Sequence, residues 1–373
     1  MKVLVHRDEM FLNSETFVWR RDNYPAACNI RFSGLRQHCN VQASDTVIPA
    51  ASPVLGPLGR ASYRLGGMAT AGFRSILNRS NLVHVHFAVD AASLLPVLRR
   101  LDLPLVVSLH GFDVLSSDGA MAHLGLRGRI LLKRRRELWG RASLFLCASD
   151  YLLQQAAKRG YPEARLRRHY IGVPIEELED LARNQLEAAP AVPKLIFAGR
   201  LVENKGVLWL PGLSQYLNAR AIDHHLLIVG DGPLRPQLEA AAADRNRSSL
   251  QVLGMMPQRR LHELIAGAAA VLAPSRPIKT GESEALNLVA LEAAVLGIPI
   301  VANRTGGLPE VVVDGLTGSL ADPQDPESFY QAVEQLLKSS GQRPDPGATR
   351  DHLSQFDKIT SRSRLMAIYR TLA

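Results

Sequence analysis

The sequence predicts an α/β protein of two domains, each with a parallel β-sheet covered by helices on both faces. The chain has 373 residues, which suits two domains of about 150–200 residues better than one hydrophobic core. Hydrophobic residues make up 46% and charged residues 21%, as in soluble globular proteins. Short apolar runs alternate with segments of helical periodicity, which is typical of parallel sheets.

Four apolar runs in the first half read as strands, at residues 2–6, 82–87, 105–109 and 144–148. Five more follow in the second half, at residues 194–198, 225–229, 250–253, 270–273 and 299–302. Segments with helical periodicity lie between most of them, at residues 90–100, 151–159, 233–244, 259–266 and 286–296. Two such series predict two Rossmann-like domains, which bind ligands beyond the carboxyl ends of their strands.

The domain boundary is predicted within residues 176–193, because the stretch at 187–193 has a linker composition whose prolines block continuation of a helix. This predicts an N-terminal domain at residues 1–178, a linker at 179–193 and a C-terminal domain at 194–350. Residues 351–373 are predicted to close the chain with a helix at 361–372.

Composition excludes several classes of protein. No apolar run approaches the roughly 20 residues that a membrane-spanning helix needs. The N-terminus lacks the apolar core of a signal peptide. The three cysteines are widely spaced, which favours reduced thiols. We therefore expect a cytoplasmic protein.

A net charge of +9 could serve nucleic acid, an anionic membrane surface or phosphate-bearing substrates. Residues 124–139 interleave apolar side chains with the densest basic run, formed by Arg127, Arg129, Lys133, Arg134, Arg135 and Arg136. This pattern predicts a basic amphipathic helix, which lies on an anionic membrane surface or faces solvent. Both interpretations stay open. Nucleic acid is a weaker alternative, because aromatic residues are 6% of the chain and do not accompany the charge.

Several well-known catalytic motifs are missing from the sequence. It has no G-x-G-x-x-G after a strand and no G-x-x-x-x-G-K-[ST], which argues against a dehydrogenase and a nucleoside triphosphatase. A G-x-S-x-G elbow is also missing. No D-x-D pattern or cluster of metal ligands is visible, so we expect a protein without metal or cofactor.

One strand end in the second half carries the first candidate binding residues. Gly199 and Arg200 follow the strand at 194–198, and Lys205 comes shortly after. Glycine permits close approach of the backbone to a ligand, and an arginine with a lysine suits a diphosphate. On their own, two such cations are more often ordinary surface charge.

Two glutamates extend this pattern. Glu284 is predicted at the N-terminus of the helix at 286–296, with Glu292 near the same helix face two turns later. Both carboxylates could accept hydrogen bonds from sugar and ribose hydroxyls. Glu284 as a simple helix cap is the alternative.

Backbone groups of the second half complete the candidate site. The amides of Asn287, Leu288 and Val289 are predicted to form an anion site at the helix N-terminus. Gly306 and Gly307 follow the strand at 299–302 and would let the backbone approach a ligand.

Three histidines stand out in the first half. His110 follows the strand at 105–109, where a histidine is more often bonded to a backbone carbonyl than catalytic. His84 and His86 are predicted on one face of their strand. Without a third metal ligand, they are interpreted as structural or as facing an acceptor.

In combination, these motifs resemble the retaining glycosyltransferases of family 4. The resemblance rests on Gly199 and Arg200 with Lys205, on Glu284 with Glu292, and on the G-G-L-P-E run at 306–310. It implies the GT-B fold, in which two Rossmann-like domains face a central cleft and the C-terminal helix packs back on the N-terminal domain. It also implies that Arg200 and Lys205 bind the donor diphosphate. Ala285 and Asn287 depart from the family pattern, which affects the expected choice of sugar.

The resemblance further assigns sugar contacts to Glu284 and His110 and a ribose contact to Glu292. The S-E-T-F run at 14–17 and the H-G-F-D run at 110–113 are similar to enzymes of exopolysaccharide and colanic acid biosynthesis. This similarity places Ser14, Glu15, His86 and Asp113 on the acceptor side.

The expected activity is therefore metal-independent transfer of a hexose from a nucleotide sugar to a saccharide or polyprenyl-linked saccharide, with retention of configuration. The expected location is the cytoplasm, peripheral to the inner face of the cell membrane. A nucleotide-sugar epimerase and a glycogen-type synthase, which share the fold, stay open as activities. So do two functions of different classes, a basic nucleic-acid-binding protein and an inactive subunit that binds sugar nucleotides.

Overall fold

The structure, a computed structural model, describes residues 1–10, 18, 23–37, 46–47, 56–184, 192–243, 249–339 and 344–373. The chain divides into two compact units. The first contains Met1–Gly172 together with Ile359–Ala373, and the second contains Val173–Lys358. None of the helices in the described ranges has the length and apolar character to span a membrane.

The main sheet of the first unit is parallel throughout. Its described strands are β1 (Lys2–His6), β3 (Asn29–Ser33), β5 (Thr46–Val47), β6 (Leu82–His86), β7 (Leu105–Leu109), β8 (Leu144–Cys147) and β9 (Leu166–Arg168). Their order is β5-β3-β1-β6-β7-β8-β9. Two short strands, β2 (Glu9–Met10) and β4 (Arg36–Gln37), pair separately.

Helices connect these strands. The described ones are α1 (Gly56–Gly66), α2 (Ala71–Arg79), α3 (Ala88–Leu98), α4 (Phe112–Leu115), α5 (Asp118–His123), α6 (Leu126–Arg141) and α7 (Asp150–Lys158). Local caps fix several starts. The Ser149 hydroxyl, for example, accepts a hydrogen bond from the Leu152 amide at 3.0 Å and begins α7.

The second unit is built on another parallel sheet. Its described strands are β10 (Lys194–Ala198), β11 (His225–Val229), β12 (Leu250–Gly254), β13 (Ala270–Ala273), β14 (Ile300–Asn303) and β15 (Gly318–Ala321), in the order β12-β11-β10-β13-β14-β15. Its described helices are α8 (Ile175–Asn184), α9 (Leu210–Asn218), α10 (Arg235–Ala242), α11 (Gln258–Ala266), α12 (Leu288–Val295), α13 (Leu308–Val311), α14 (Pro326–Lys338) and α15 (Pro346–Leu353).

Both sheets have the doubly wound order of a Rossmann-like domain. In the second sheet the chain moves outward from β10 through β11 to β12, then returns to β13 on the other side. In the first sheet the same reversal separates β1 from β6. These are the switch points at which such sheets bind ligands. The predicted fold class is confirmed.

The strands form where the sequence has continuous apolar runs, because both faces of each sheet are covered. Every residue of β6, β7, β13 and β14 is buried. In the second core, Leu195 and Phe197 of β10 pack with Ile228 of β11 and Phe329 of α14. Several predicted strand and helix boundaries differ from the structure by one or two residues.

The division of the chain differs from the boundaries expected from sequence. Helix α8 extends across residue 179, where the linker was expected, and belongs to the second unit because it packs on α11 and α12. Of the expected linker, residues 185–191 lie outside the described residues. Residues 351–358 also belong to the second unit.

The C-terminal helix, α16 (Lys358–Leu372), completes the first unit, as the sequence predicted. Leu365 and Tyr369 of this helix are buried in the same core as Val3 and Val5 of β1. The Tyr369 hydroxyl also lies 2.6 Å from Nδ1 of His84 on β6.

Replacing Leu365 with alanine should lower the free energy of unfolding by about 2–5 kcal/mol, because the change leaves a cavity in a closed core. Ile359→Ala on the same helix is the matched control. Its side chain is 59% exposed, so the expected change is within about 0.5 kcal/mol. Urea denaturation followed by circular dichroism measures both. Equal losses in the two variants would contradict the packing described.

Candidate functional site

The switch point of the second unit assembles several of the residues singled out in the sequence. Gly199 and Arg200 follow β10, and Ser275 lies just beyond the end of β13. Lys205 ends a short 3-10 helix, Glu203–Lys205, in the loop after β10. These groups lie where ligands bind in sheets of this type.

Gly206 brings that loop against the end of β13. Its φ is +66°, and a Cβ atom there would lie 1.9 Å from the carbonyl oxygen of Pro274. Only glycine allows both this left-handed conformation and this approach. The contact between Gly206 and Pro274 places the neighbouring Lys205 within hydrogen-bonding distance of Glu284.

Glu284 is the centre of this site. Its Oε2 atom accepts hydrogen bonds from Lys205 Nζ at 2.5 Å, Ser275 Oγ at 2.9 Å and Asn287 Nδ2 at 3.3 Å. Hydrogen bonds from described residues to this carboxylate all end on Oε2, which leaves the Oε1 lone pairs for a ligand.

The charge state of Glu284 follows from these contacts. Burial alone would raise the pKa of this carboxyl. The charge of Lys205, the hydrogen bonds from Lys205 and Ser275 and the charge of Arg200 together outweigh burial and lower the pKa of Glu284 below its ordinary value. The side chain is therefore an anion at neutral pH.

The backbone around Glu284 differs from the prediction. Helix α12 starts at Leu288, and Asn287 is its cap, with Oδ1 accepting from the Ala290 amide at 3.0 Å. Glu284 thus lies before the helix, neither at its N-terminus nor as its cap, because the Asn287 side chain already bonds the first turn. None of the described residues accepts a hydrogen bond from the amides of Leu288 or Val289.

Glu292 does not share a helix face with Glu284, because only Glu292 is helical. Its Oε1 atom accepts from Gln258 Nε2 at 3.0 Å, and its Oε2 atom lies 3.3 Å from His262 Nε2. The sequence reasoning missed Gln258 and His262. Their i, i+4 spacing on α11 was the available signal, since such residues share a helix face.

Gly306 and Gly307 support Glu284 through its backbone. The Gly307 amide donates to the Glu284 carbonyl at 2.9 Å. Gly306 has a φ of +60°, and a Cβ there would lie 1.9 Å from the same oxygen. The close approach predicted for these glycines is therefore to another segment of the protein.

The switch point of the first unit contains a row of histidines. His84 and His86 lie on one face of β6, as predicted, with ring centroids 4.6 Å apart. His86 Nδ1 lies 2.8 Å from His110 Nε2, beyond the end of β7. The Tyr24 hydroxyl lies 2.9 Å from His86 Nε2.

Asp113, expected on the acceptor side, is 3% exposed. Its carboxylate accepts hydrogen bonds from the amides of Ala88 at 2.9 Å, His110 at 3.2 Å and Gly111 at 3.1 Å. Burial raises its pKa to about 6, against the effect of these donors. Asp113 supports the backbone that carries His110.

A buried cluster of charges beside the histidines was not anticipated from the sequence. The Asp90 carboxylate contacts Arg7 Nη1 and Arg127 Nη2, each at 2.6 Å. Asp8 bonds Arg64 Nη2 at 2.8 Å. The charges of Arg7 and Arg127 overcome burial and lower the pKa of Asp90. The Arg7 guanidinium also lies 4.2 Å from the centroid of Phe87, whose φ is +73°.

The predicted basic helix is α6, and only part of its charge faces outward. Arg127 pairs with the buried Asp90, and Arg134 donates to the carbonyls of Arg64, Leu65 and Ala92. These two therefore cannot serve as surface cations, because they hold the helix to the unit.

Arg135 of the same helix bonds Asp118 at 2.9 Å. Arg129, Lys133 and Arg136 are exposed, and among the described residues they form no ion pair. Their i, i+4, i+7 spacing makes one basic stripe along the outer face of α6. Exposed apolar side chains on α1, on α6 and in the loops after α1 and before α6 accompany it: Leu58, Leu65, Met68, Leu124 and Leu126.

Two residues expected on the acceptor side cannot be placed, and the described part of the chain has no group of metal ligands. Ser14 and Glu15 lie outside the described residues. Within the described ranges, no group of three or more histidine, cysteine or acidic side chains could hold a metal ion.

Comparison with known families matches each half of the chain. Residues 34–177 match the family described as Glycosyltransferase Family 4. Residues 192–339 match the family described as Glycosyl transferases group 1. The two matches fall on the two halves that carry the switch points.

Two curated relatives show the range of sequence similarity. An uncharacterized glycosyltransferase of Methanocaldococcus jannaschii is 24% identical over 261 residues, which cover 69% of this chain and 66% of that protein. The GDP-mannose-dependent alpha-(1-6)-phosphatidylinositol monomannoside mannosyltransferase of Mycolicibacterium smegmatis is 31% identical over 258 residues, covering 67% of this chain and 65% of that protein. The chain thus spans about two thirds of the length of these relatives.

Among solved structures, HepE of Anabaena in complex with UDP-glucose superposes with a TM-score of 0.74 at 16% identity. The superposition covers 100% of both chains. At this identity the likeness establishes the GT-B fold.

Gly306→Ala should destabilise the second unit far more than Gly315→Ala. Both glycines have positive φ, at +60° and +75°, so both variants carry the left-handed penalty of about 1–2 kcal/mol. Only at Gly306 does the new Cβ meet a backbone oxygen, while nothing lies within 4 Å at Gly315. Thermal unfolding of the two variants measures the difference. Equal melting temperatures would show that the Gly306 loop does not support Glu284 as described.

Proposed function

We propose that this chain, a glycosyltransferase of the GT-B group 1 type, transfers a sugar from a nucleotide diphosphate sugar with retention of configuration and without a metal ion. The acceptor is a saccharide or lipid-linked saccharide. The observation that carries the proposal is the Glu284 carboxylate, bonded to Lys205 and Ser275 at the switch point of the second unit.

Lys205 and Arg200 suit the donor diphosphate. An ammonium group has three donors, and Glu284 takes one of them, so Lys205 retains two for phosphate oxygens. Arg200 is exposed and close enough to Glu284 to lower its pKa. The amides of Leu288 and Val289 add donors at the start of α12.

Two carboxylates suit the hydroxyls of the same donor. The Oε1 atom of Glu284 would accept from the transferred sugar, and Glu292 from the ribose. Gln258 donates a hydrogen bond to the Glu292 carboxylate, and His262 Nε2 lies 3.3 Å from its other oxygen. HepE, which has the same fold, was solved in complex with UDP-glucose, and this supports a nucleotide sugar as the ligand.

The charge of the departing diphosphate develops against cations and amides, which supports transfer without a metal. We propose no covalent intermediate on Glu284, because its Oε1 atom is assigned to a hydroxyl of the transferred sugar and its Oε2 atom bonds Lys205 and Ser275. Retention would then arise from attack by the acceptor on the face that the diphosphate leaves. We assign to His110 of the first unit a hydrogen bond to the sugar.

With EDTA present, the purified protein should release a nucleoside diphosphate from one member of a panel of nucleotide sugars. Lys205→Ala and Glu284→Gln should each lower that rate by about 10²–10³-fold, the usual effect of removing one donor or partner of a developing charge. Lys338→Ala, which removes an exposed cation of the same unit, should leave the rate unchanged.

A rate that EDTA abolishes and added Mg²⁺ restores would contradict metal independence. If calorimetry detects no binding of any nucleotide sugar, the transferase proposal fails. Product analysis distinguishes transfer from epimerisation.

The exposed stripe of α6 supports a lipid-linked acceptor at a membrane surface. Arg129, Lys133 and Arg136 would contact anionic headgroups, while neighbouring side chains such as Leu124 and Leu126 enter the interface. The mycobacterial relative is named for a phosphatidylinositol mannoside substrate. This proposal places the enzyme in the cytoplasm, at the inner face of the cell membrane, in synthesis of a surface polysaccharide.

Replacing Arg129, Lys133 and Arg136 together with alanine should weaken binding to vesicles containing phosphatidylserine by roughly 100-fold, at about 1 kcal/mol for each basic residue near the surface. The matched control replaces Arg259, Arg260 and Lys338, exposed cations of the second unit. Sedimentation with vesicles measures both. Equal loss in the two triple variants would indicate general charge attraction and contradict a specific membrane face.

A further inference from the structure

A chain of hydrogen bonds leads from a backbone carbonyl to His110. The Tyr24 hydroxyl donates to the Val18 carbonyl at 2.7 Å. The same hydroxyl oxygen lies 2.9 Å from His86 Nε2. His86 Nδ1 lies 2.8 Å from His110 Nε2, and the two ring planes are within 6° of parallel. Each of the three contacts is therefore short enough to be a hydrogen bond.

The direction of every proton in this chain follows from its first link. A carbonyl only accepts, so the single Tyr24 proton points to Val18. The Tyr24 oxygen must then accept from His86, which places a proton on His86 Nε2. A neutral imidazole carries one proton, so His86 Nδ1 is an acceptor and His110 Nε2 donates to it. His110 is left with Nδ1 as an acceptor.

Both histidines are held neutral by their surroundings. Burial, with the neighbouring His110 and Arg7, lowers the pKa of His86 well below its ordinary value, and only Asp90 opposes this. Burial and the neighbouring His84 and Arg7 lower the pKa of His110 to about 3. His169 adds to the effect on both rings. A second proton on either ring is excluded at neutral pH.

His84 lies beside this chain and is not part of it. Its Nδ1 atom bonds the Tyr369 hydroxyl at 2.6 Å, and its Nε2 atom bonds Ser108 Oγ at 2.7 Å. Its contact with His86 is between ring faces. Among the described residues, two buried tyrosine hydroxyls thus bond histidines of β6, and of these two it is Tyr24, through His86, that leads to His110.

We propose that Tyr24 and His86 are positioning residues that fix His110 as the Nε2–H tautomer, so that its Nδ1 atom accepts a hydrogen bond from a sugar hydroxyl. The hydrogen bond from the sugar hydroxyl rests on the proposed function, whereas the assignment of the His110 tautomer does not depend on it. In this state His110 cannot act as a general acid, since its one proton is bonded to His86. It selects a sugar that presents a hydroxyl as a donor.

Nitrogen-15 labelling of the histidines of the full chain tests the tautomer directly. Long-range proton–nitrogen correlation spectra distinguish protonated from bare ring nitrogens, and His110→Gln identifies the His110 signals. We expect the wild-type protein to show a proton on Nε2 and a bare Nδ1. A proton on Nδ1 of His110 in the wild-type protein would overturn the proposal.

Tyr24→Phe and Tyr369→Phe then form a matched pair, because each removes one buried hydroxyl bonded to a histidine of β6. Tyr24→Phe should allow His110 to populate the second tautomer and should lower kcat for sugar transfer about tenfold, the upper end for one neutral hydrogen bond. Tyr369→Phe should alter only the His84 signals. If Tyr24→Phe leaves the His110 signals as in the wild type, the relay does not exist.

Monodeoxy donors and acceptors identify the hydroxyl. One of them should be turned over at the same rate by the wild type and by Tyr24→Phe, and its position tells whether donor or acceptor bonds His110. If every deoxy sugar remains sensitive to Tyr24→Phe, no hydroxyl bonds His110 in this way. A wild-type protein with the expected tautomer and no transfer of any sugar would refute the proposed function alone.

Discussion

The ion pair between Lys205 and Glu284 is the contact on which the second unit's candidate site depends. Burying a carboxylate costs several kcal/mol unless a cation and hydrogen bonds compensate it. Two separate loops supply that compensation, the loop after β10 through Lys205 and the end of β13 through Ser275, while the loop after β14 bonds the Glu284 backbone. Each loop is positioned by the strand before it. Glu284 therefore joins the ends of three strands, two through its carboxylate and one through its backbone.

The first unit has the same doubly wound strand order, but its switch point contains several buried ion pairs. At its switch point, Asp8 and Asp90 are buried among arginines that come from the residue after β1, from α1 and from α6. Helix α6 is therefore held to the unit from within by part of the charge that makes its sequence basic. The exposed stripe on α6 therefore has three cations, fewer than the six basic residues in this part of the sequence. These three cations lie on one face of the helix.

Local patterns in the sequence predicted much of the fold and part of the site. Apolar runs located most strands, and the motif around Gly199 and Lys205 identified the residues beside Glu284. The prediction that Glu284 and Glu292 share a helix face was wrong, because it depended on where the helix begins and α12 starts only at Leu288. The Arg7–Asp90 pair and the Gln258–Glu292 contact join residues far apart in the chain. Periodicity can place two side chains on one face of a helix, but it does not report which distant residue they contact.

The return of α16 to the first unit makes the second unit an insertion within the first. A ribosome produces residues 173–358 before Leu365 and Tyr369 exist, so the core around β1 stays incomplete until the second unit has been synthesised. Domains usually fold in order from the N-terminus during translation. In this chain the second unit can complete its hydrophobic core before the first unit does, because the first unit also needs residues 359–373. The His84–Tyr369 contact, next to the histidines of the first unit, can therefore form only after residues 173–358 have been synthesised.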